Sequence, residues 1–128
     1  MQVREGMTSV VLTVGPGHSL REAACRMAER KVGAAVVVDP DGQGPGIVTE
    51  RDVLLSLGSG QDPDAEKVCD HLTIELVAAE PGWSLERAAR EMIKGGFRHL
   101  VVIEAGEPVG ILSMRDNVRC WTPEHVPT

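Results

Sequence analysis

Aromatic side chains are nearly missing from this 128-residue chain: Phe97, Trp83 and Trp121 are all it has, and there is no tyrosine. A core must therefore be built from Val, Ile, Leu, Ala and Met, and the stacking platforms that grip single-stranded nucleic acid are absent. Basic residues are also short. Thirteen Lys and Arg against nineteen Asp and Glu leave a net charge of −6, with no dense basic stripe to track a phosphate backbone, so nucleic acid is excluded as the main partner. Cys25, Cys69 and Cys120 are odd in number and far apart. No CxxC or paired Cys/His spacing signals a zinc site, and no metal is expected; three reduced thiols fit a cytoplasmic protein. No apolar run approaches membrane-spanning length, and the opening MQVREGMT has no apolar h-region, so a soluble, cytoplasmic chain with no membrane partner is expected. Catalytic signatures are missing too: no HExxH, no GxxxxGK, no GxGxxG opening a helix, and no nucleophile–His arrangement in a recognisable context. No catalytic residue is assigned and no enzyme is expected.

What is present is a repeat. A content of 42% hydrophobic and 25% charged residues describes a folded globular chain, and its length is enough for one ordinary domain with a real core. VGPGHSLREAACRMAERKVGAAVVV (14–38) aligns with AEPGWSLERAAREMIKGGFRHLVVI (79–103) at an offset of 65. Pro16/Pro81, Gly17/Gly82, Ser19/Ser84, Leu20/Leu85, Ala23/Ala88 and Met27/Met92 coincide, and upstream so do Thr8/Thr73. GIVTERD (46–52) and GILSMRD (110–116) align at 64, because the loop before the second is one residue shorter.

Each copy reads as β-α-β-β-α. Short apolar strands (10–14 and 76–79) end at a Pro-Gly turn, and helices start at Ser19 and Ser84. Glu22, three residues after Ser19, predicts a capping box. Leu20, Ala23, Ala24, Met27 and Ala28, and in the second copy Leu85, Ala88, Ala89, Met92 and Ile93, mark one helix face. Gly33 and Gly95-Gly96 suit the helix ends, where a left-handed residue is commonly needed. A buried strand (34–38; 99–103), a Gly/Pro/Asp loop, a second strand (46–49; 109–113) and a last helix complete each unit. The fold class is α+β with pseudo-two-fold symmetry. The copies span 1–62 and 63–128 and are expected to share one core.

The motif that closes each copy carries the chemistry. Thr49-x-x-Asp52 and Ser113-x-x-Asp116 have the pattern of capping boxes. Capping does not call for Arg before the acid, yet Arg51 and Arg115 both stand there. A strand that ends in a hydroxyl residue and turns into a helix exposes backbone N–H groups. An acid at that turn can accept both hydroxyls of a ribose, and an adjacent Arg can reach a phosphate with paired donors. The second copy adds Arg98 and His99 where the first has Gly33 and Ala34. Arg98, His99 and Arg115 together should make the Asp116 site the tighter one for a phosphorylated ligand.

This order of elements, with Met7-Thr8, PGHSLREAA, GIVTERD, PGWSLERAA, RHLVVI and GILSMRD, resembles the CBS domain, and the two copies resemble the tandem pair known as a Bateman module. The resemblance runs from about Val3 to about Trp121; Leu72 in place of a Met before Thr73 and Gly33-Ala34 in the first copy are its departures. It implies a regulatory module that binds an adenosine-containing ligand in the clefts of the pair: AMP, ADP or ATP, with S-adenosylmethionine or NADH as further candidates and no required cofactor. Thr49, Asp52, Ser113 and Asp116 would hold the ribose. Thr8, Val10, Thr73 and Val77, on the leading strand segments, would help wall the clefts. A homodimer through the apolar-striped helices and a target protein are also implied, with Trp83 and Trp121 serving packing or dimer contact. The competing expectation is a nucleotide-free interaction module in which the motifs only cap helices.

Overall fold

A computed structural model describes residues 1–9, 12–38, 45–71 and 78–121. The chain divides into two compact units, one formed by Leu12–Leu76 and the other by Met1–Val11 together with Val77–Thr128.

In the first unit, β1 (Thr13–Val14) pairs in parallel with β2 (Ala34–Val37), which pairs antiparallel with β3 (Gly46–Thr49). Between β1 and β2 lies α2 (Leu20–Arg30), and α3 (Glu50–Gly58) follows β3 directly. Ser19 caps α2 by accepting the Glu22 N–H at 3.1 Å. The reciprocal half of the expected box does not form: the Ser19 end of α2 is bridged to Lys67, and the Leu20 N–H is taken by the Glu66 carbonyl at 2.9 Å. The helix ends on Lys31 in the left-handed region (φ 56°), two residues before the expected Gly33.

The second unit repeats the plan. Helix α4 (Leu85–Gly95) is capped by Ser84 and ends on Gly96 at φ 71°. It leads into β4 (His99–Glu104), then β5 (Glu107–Ser113) and α5 (Met114–Cys120). β4 and β5 pair antiparallel, with a register shift between Val102 and Ile103. Ala79 adds a parallel bridge to Val102 on one side, and Thr8 adds an antiparallel bridge to Ile111 on the other.

The compact units do not follow the repeat boundary at 62/63. Residues 1–8 lead into the first repeat but pack on elements of the second, as the short helix α1 (Val3–Gly6) shows: the Val3 N–H donates to the Trp83 carbonyl and the Arg4 N–H to the Pro81 carbonyl. The matching lead of the second repeat, a single 3-10 turn at Val68–Asp70, does the same to the first: the Val68 N–H donates to His18 and the Cys69 N–H to Pro16. Each pairing reproduces the other at an offset of 65. The leads are therefore exchanged. Each drops one fully buried valine into the other repeat's core, Val3 among Leu85, Met92, Leu100 and Leu112, and Val68 among Leu20, Met27, Val37 and Val48. The single shared core expected from the sequence is, among the described residues, two clusters, one in each unit. Among the described residues, no helix is long and apolar enough to cross a membrane.

Candidate functional site

Both hydroxyl–Arg–Asp turns sit where the second strand of a hairpin runs without a break into a helix. Strand pairing decides what stands beside them. Ala34 lies opposite Thr49 in the first unit, and His99 lies opposite Ser113 in the second. Directly opposed residues project to the same face, so Thr49 shares its face with Ala34, Val36 and Ile47. Ser113 shares its face with His99, Val101 and Ile111. Alternate residues (Ala35, Val37 and Val48; Leu100, Val102 and Leu112) fill the cores, so the motif hydroxyls lie on the face turned away from the core helix of their own unit.

The first turn of α3 or α5 leaves its leading N–H groups without intrahelical acceptors, and the motif supplies most of them. At α3 the Thr49 N–H donates to Asp52 Oδ2 at 2.8 Å, the Glu50 N–H to the Gly33 carbonyl at 2.9 Å, and the Asp52 N–H to Thr49 Oγ1 at 3.4 Å. At α5 the Ser113 N–H donates to Asp116 Oδ2 at 3.1 Å, the Met114 N–H to the Arg98 carbonyl at 2.7 Å, and the Asp116 N–H to Ser113 Oγ at 2.9 Å. Both motifs are thus complete capping boxes. Capping uses one oxygen of each acid. The second oxygen of Asp52 accepts no hydrogen bond among the described residues, whereas Asp116 Oδ1 accepts from Arg119 Nη2 at 2.8 Å. That pair is half exposed on the Arg119 side, where an ion pair contributes little.

The charges around the turns differ. Arg51, Arg98 and Arg115 are exposed, and none makes a salt bridge among the described residues. In the second unit Arg119 bonds to Asp116, Arg115 precedes it in the chain, and Arg98 stands one residue before His99 with its carbonyl on the Met114 N–H. The first carries Arg51 beside Asp52, and it also carries Glu50, whose Oε1 lies 3.0 Å from where a Cβ on Gly33 would stand. The hydroxyl–Arg–Asp pattern does not mark Glu50, although aligning GIVTERD with GILSMRD sets it against Met114. The place of Arg119 in the first repeat holds Leu55, so no repeat pattern marks it.

The sequence left open which site each leading segment serves. The Thr8 N–H donates to the Ile111 carbonyl at 2.9 Å and the Ile111 N–H returns to Thr8 at 3.2 Å, which sets Thr8 on the face of Ser113 and His99 in the second unit. Val10, Thr73 and Val77 lie outside the described residues. No grouping of three or more His, Cys, Asp or Glu able to hold a metal occurs among the described residues.

Comparison with known proteins identifies the fold. The family model described as "CBS domain" matches residues 2–59 and again 68–116. The MJ1225 protein of Methanocaldococcus jannaschii is 33% identical over 98% of this chain, which spans 46% of that protein's length. The hexameric CBS-CP12 protein from bloom-forming cyanobacteria superposes with a TM-score of 0.87 at 28% identity, over 92% of this chain and 69% of that one. The CBS domain protein PAE2072 of Pyrobaculum aerophilum, solved in complex with AMP, superposes with a TM-score of 0.83 at 26% identity, over 98% of this chain and 95% of that one.

Proposed function

The chain belongs to the CBS-domain family, and from that premise we propose that this CBS pair is a regulatory module, not an enzyme, that senses an adenosine-containing nucleotide at its two hydroxyl–Arg–Asp turns. AMP, ADP and ATP are the first candidates. The observation that carries the reading is the division of labour within each turn: the cap occupies one carboxylate oxygen, and next to the acid stands an exposed arginine, Arg51 or Arg115, with no salt bridge among the described residues. A carboxylate has about four lone-pair positions, so Asp52, which accepts the Thr49 N–H and hydroxyl, and Asp116, which accepts the Ser113 N–H and Arg119 Nη2, can each still accept two ribose hydroxyls. The cap becomes the device that aims the acid. The AMP complex of PAE2072 supports the choice of ligand class.

Ribose hydroxyls would donate to Asp52 or Asp116, with Thr49 or Ser113 holding the acid in register. A phosphate in the second site would be gripped by Arg98 and Arg115, with His99 and Thr8 on the same face as Ser113. The Arg119 ion pair with Asp116 is half exposed on the arginine side, so ligand would compete with it there. Signalling then requires only that the ligand favour one arrangement of the module over another. Complete capping boxes also favour a second reading, an interaction module in which the motifs do nothing but finish helices.

Thermal unfolding with AMP, ADP, ATP, S-adenosylmethionine and NADH separates the two. A ligand at a hundred times its dissociation constant should stabilise the protein by about 2.7 kcal/mol. Asp116→Ala should remove most of the gain from phosphorylated ligands and Asp52→Ala less, after each variant's own loss of about 1 kcal/mol from the missing cap is subtracted. A melting curve that no adenosine compound moves would leave the interaction module standing.

A further inference from the structure

The two turns share a backbone but not a charge, and the difference is concentrated at one pair of positions. In the second unit the helix opens on Met114, and the residue whose carbonyl receives the Met114 N–H is Arg98. In the first unit the helix opens on Glu50, and the corresponding carbonyl belongs to Gly33. The Glu50 carboxylate lies back over that glycine, with Oε1 and Cδ at 3.0 and 3.1 Å from the point where a Cβ would begin. An anion thus stands where the other repeat grows an Arg side chain. Glu50 forms no salt bridge among the described residues, so its charge is not cancelled by a fixed partner.

We propose that Glu50 is a specificity determinant that turns the Thr49–Asp52 site against phosphate, so that the two repeats sort ligands by the charge at the 5′ end of the nucleoside. The Asp116 site takes the phosphorylated compound; the Asp52 site takes a nucleoside whose 5′ substituent is neutral or cationic. This rests on the reading of both turns as ribose sites. Its physical basis is Coulombic: a carboxylate beside the turn repels an anion, attracts a cation and leaves a neutral group alone, and salt weakens both effects. Glu50 is exposed at the start of α3, so replacing it costs the fold no more than the loss of a surface charge at a helix terminus.

Three probes that differ only in 5′ charge test it: AMP, adenosine and 5′-amino-5′-deoxyadenosine, titrated calorimetrically into the full chain. Site assignment comes from amide shifts of residues 33 and 50 for the first turn, and of 98 and 114 for the second. Asp116→Ala serves as a second background if the two isotherms overlap. Glu50→Gln should strengthen AMP at the first turn about two- to fivefold, weaken the 5′-amine by a similar factor and leave adenosine unchanged, the size expected of a surface charge interaction. G33R with E50M, copying the second repeat, should strengthen AMP further, and Met114→Glu should weaken AMP at the second turn. All these changes should shrink at 1 M salt, where the screening length is about 3 Å. Equal changes for all three probes, or an AMP affinity at the first turn that Glu50→Gln does not move, would overturn the role of Glu50 while leaving both ribose sites intact. If no probe binds either turn in any variant, the ribose-site reading itself fails and the sorting with it.

Discussion

Lys31 ends α2 in the backbone conformation that Gly96 adopts at the end of α4, and only one of them is suited to it. A side chain in the left-handed region costs about 1–2 kcal/mol, part of which glycine gives back through its greater freedom in the unfolded chain. Lys31→Gly should therefore stabilise the protein by roughly 0.5–1 kcal/mol, read as a higher urea midpoint at unchanged slope. Gly110 is constrained for a different reason. A Cβ there would stand 2.7 Å from the Thr8 carbonyl oxygen and 2.8 Å from Met7 Sδ, so the leading segment can lie on β5 only if position 110 has no side chain. Gly110→Ala should cost about 1–3 kcal/mol, the range for overpacking, with the largest chemical-shift changes at Met7 and Thr8.

At the scale of elements, the apolar stripes of α2 and α4 are spent in part inside their own units. Leu20, Ala23 and Met27 are buried in one core and Leu85, Ala88 and Met92 in the other, whereas Ile93, on the same stripe of α4, is 75% exposed. Further exposed apolar side chains sit on α3 and α5: Leu54, Leu55 and Leu57 on the first, Met114 and Val118 on the second with Trp121 at its C-cap. Such helices are short, and packing has to stabilise what propensity cannot. A homodimer of the kind the family resemblance implies would find in these side chains an apolar surface to cover. Leu54→Glu should lower the sedimentation coefficient toward that of a single chain, whereas Leu20, already buried at the core, offers no such handle.

At the scale of the molecule, the exchanged leads tie each repeat to the beginning of the other. Val3 and Val68 occupy equivalent places in opposite units, both with no solvent exposure. Val3→Ala and Val68→Ala should each destabilise by about 1–3 kcal/mol through the lost burial and the space left behind. The location of the damage is the sharper expectation. Hydrogen exchange should speed up in α4, β4 and β5 for Val3→Ala, and in α2, β2 and β3 for Val68→Ala, the reverse of what the order of the sequence suggests.

Much of this was legible beforehand because it is local. The 65-residue offset, Pro-Gly turns, Ser caps and apolar spacing determine two like units, since backbone periodicity and capping depend on neighbours within a few residues. The hydroxyl–Arg–Asp turns could be read for the same reason, down to the acid's return to the backbone. What sequence could not decide was everything that depends on which copy touches which. Val3 and Val68 are equivalent by the repeat, so nothing local says that each lead docks on the other half; only the competing cores decide it. Thr8 could not be assigned to a turn until its pairing with Ile111 was seen. Glu50 sat unremarked in the motif until the fold brought it over Gly33, because a charge acquires its meaning from what it faces, and strands remote in sequence supply that neighbour.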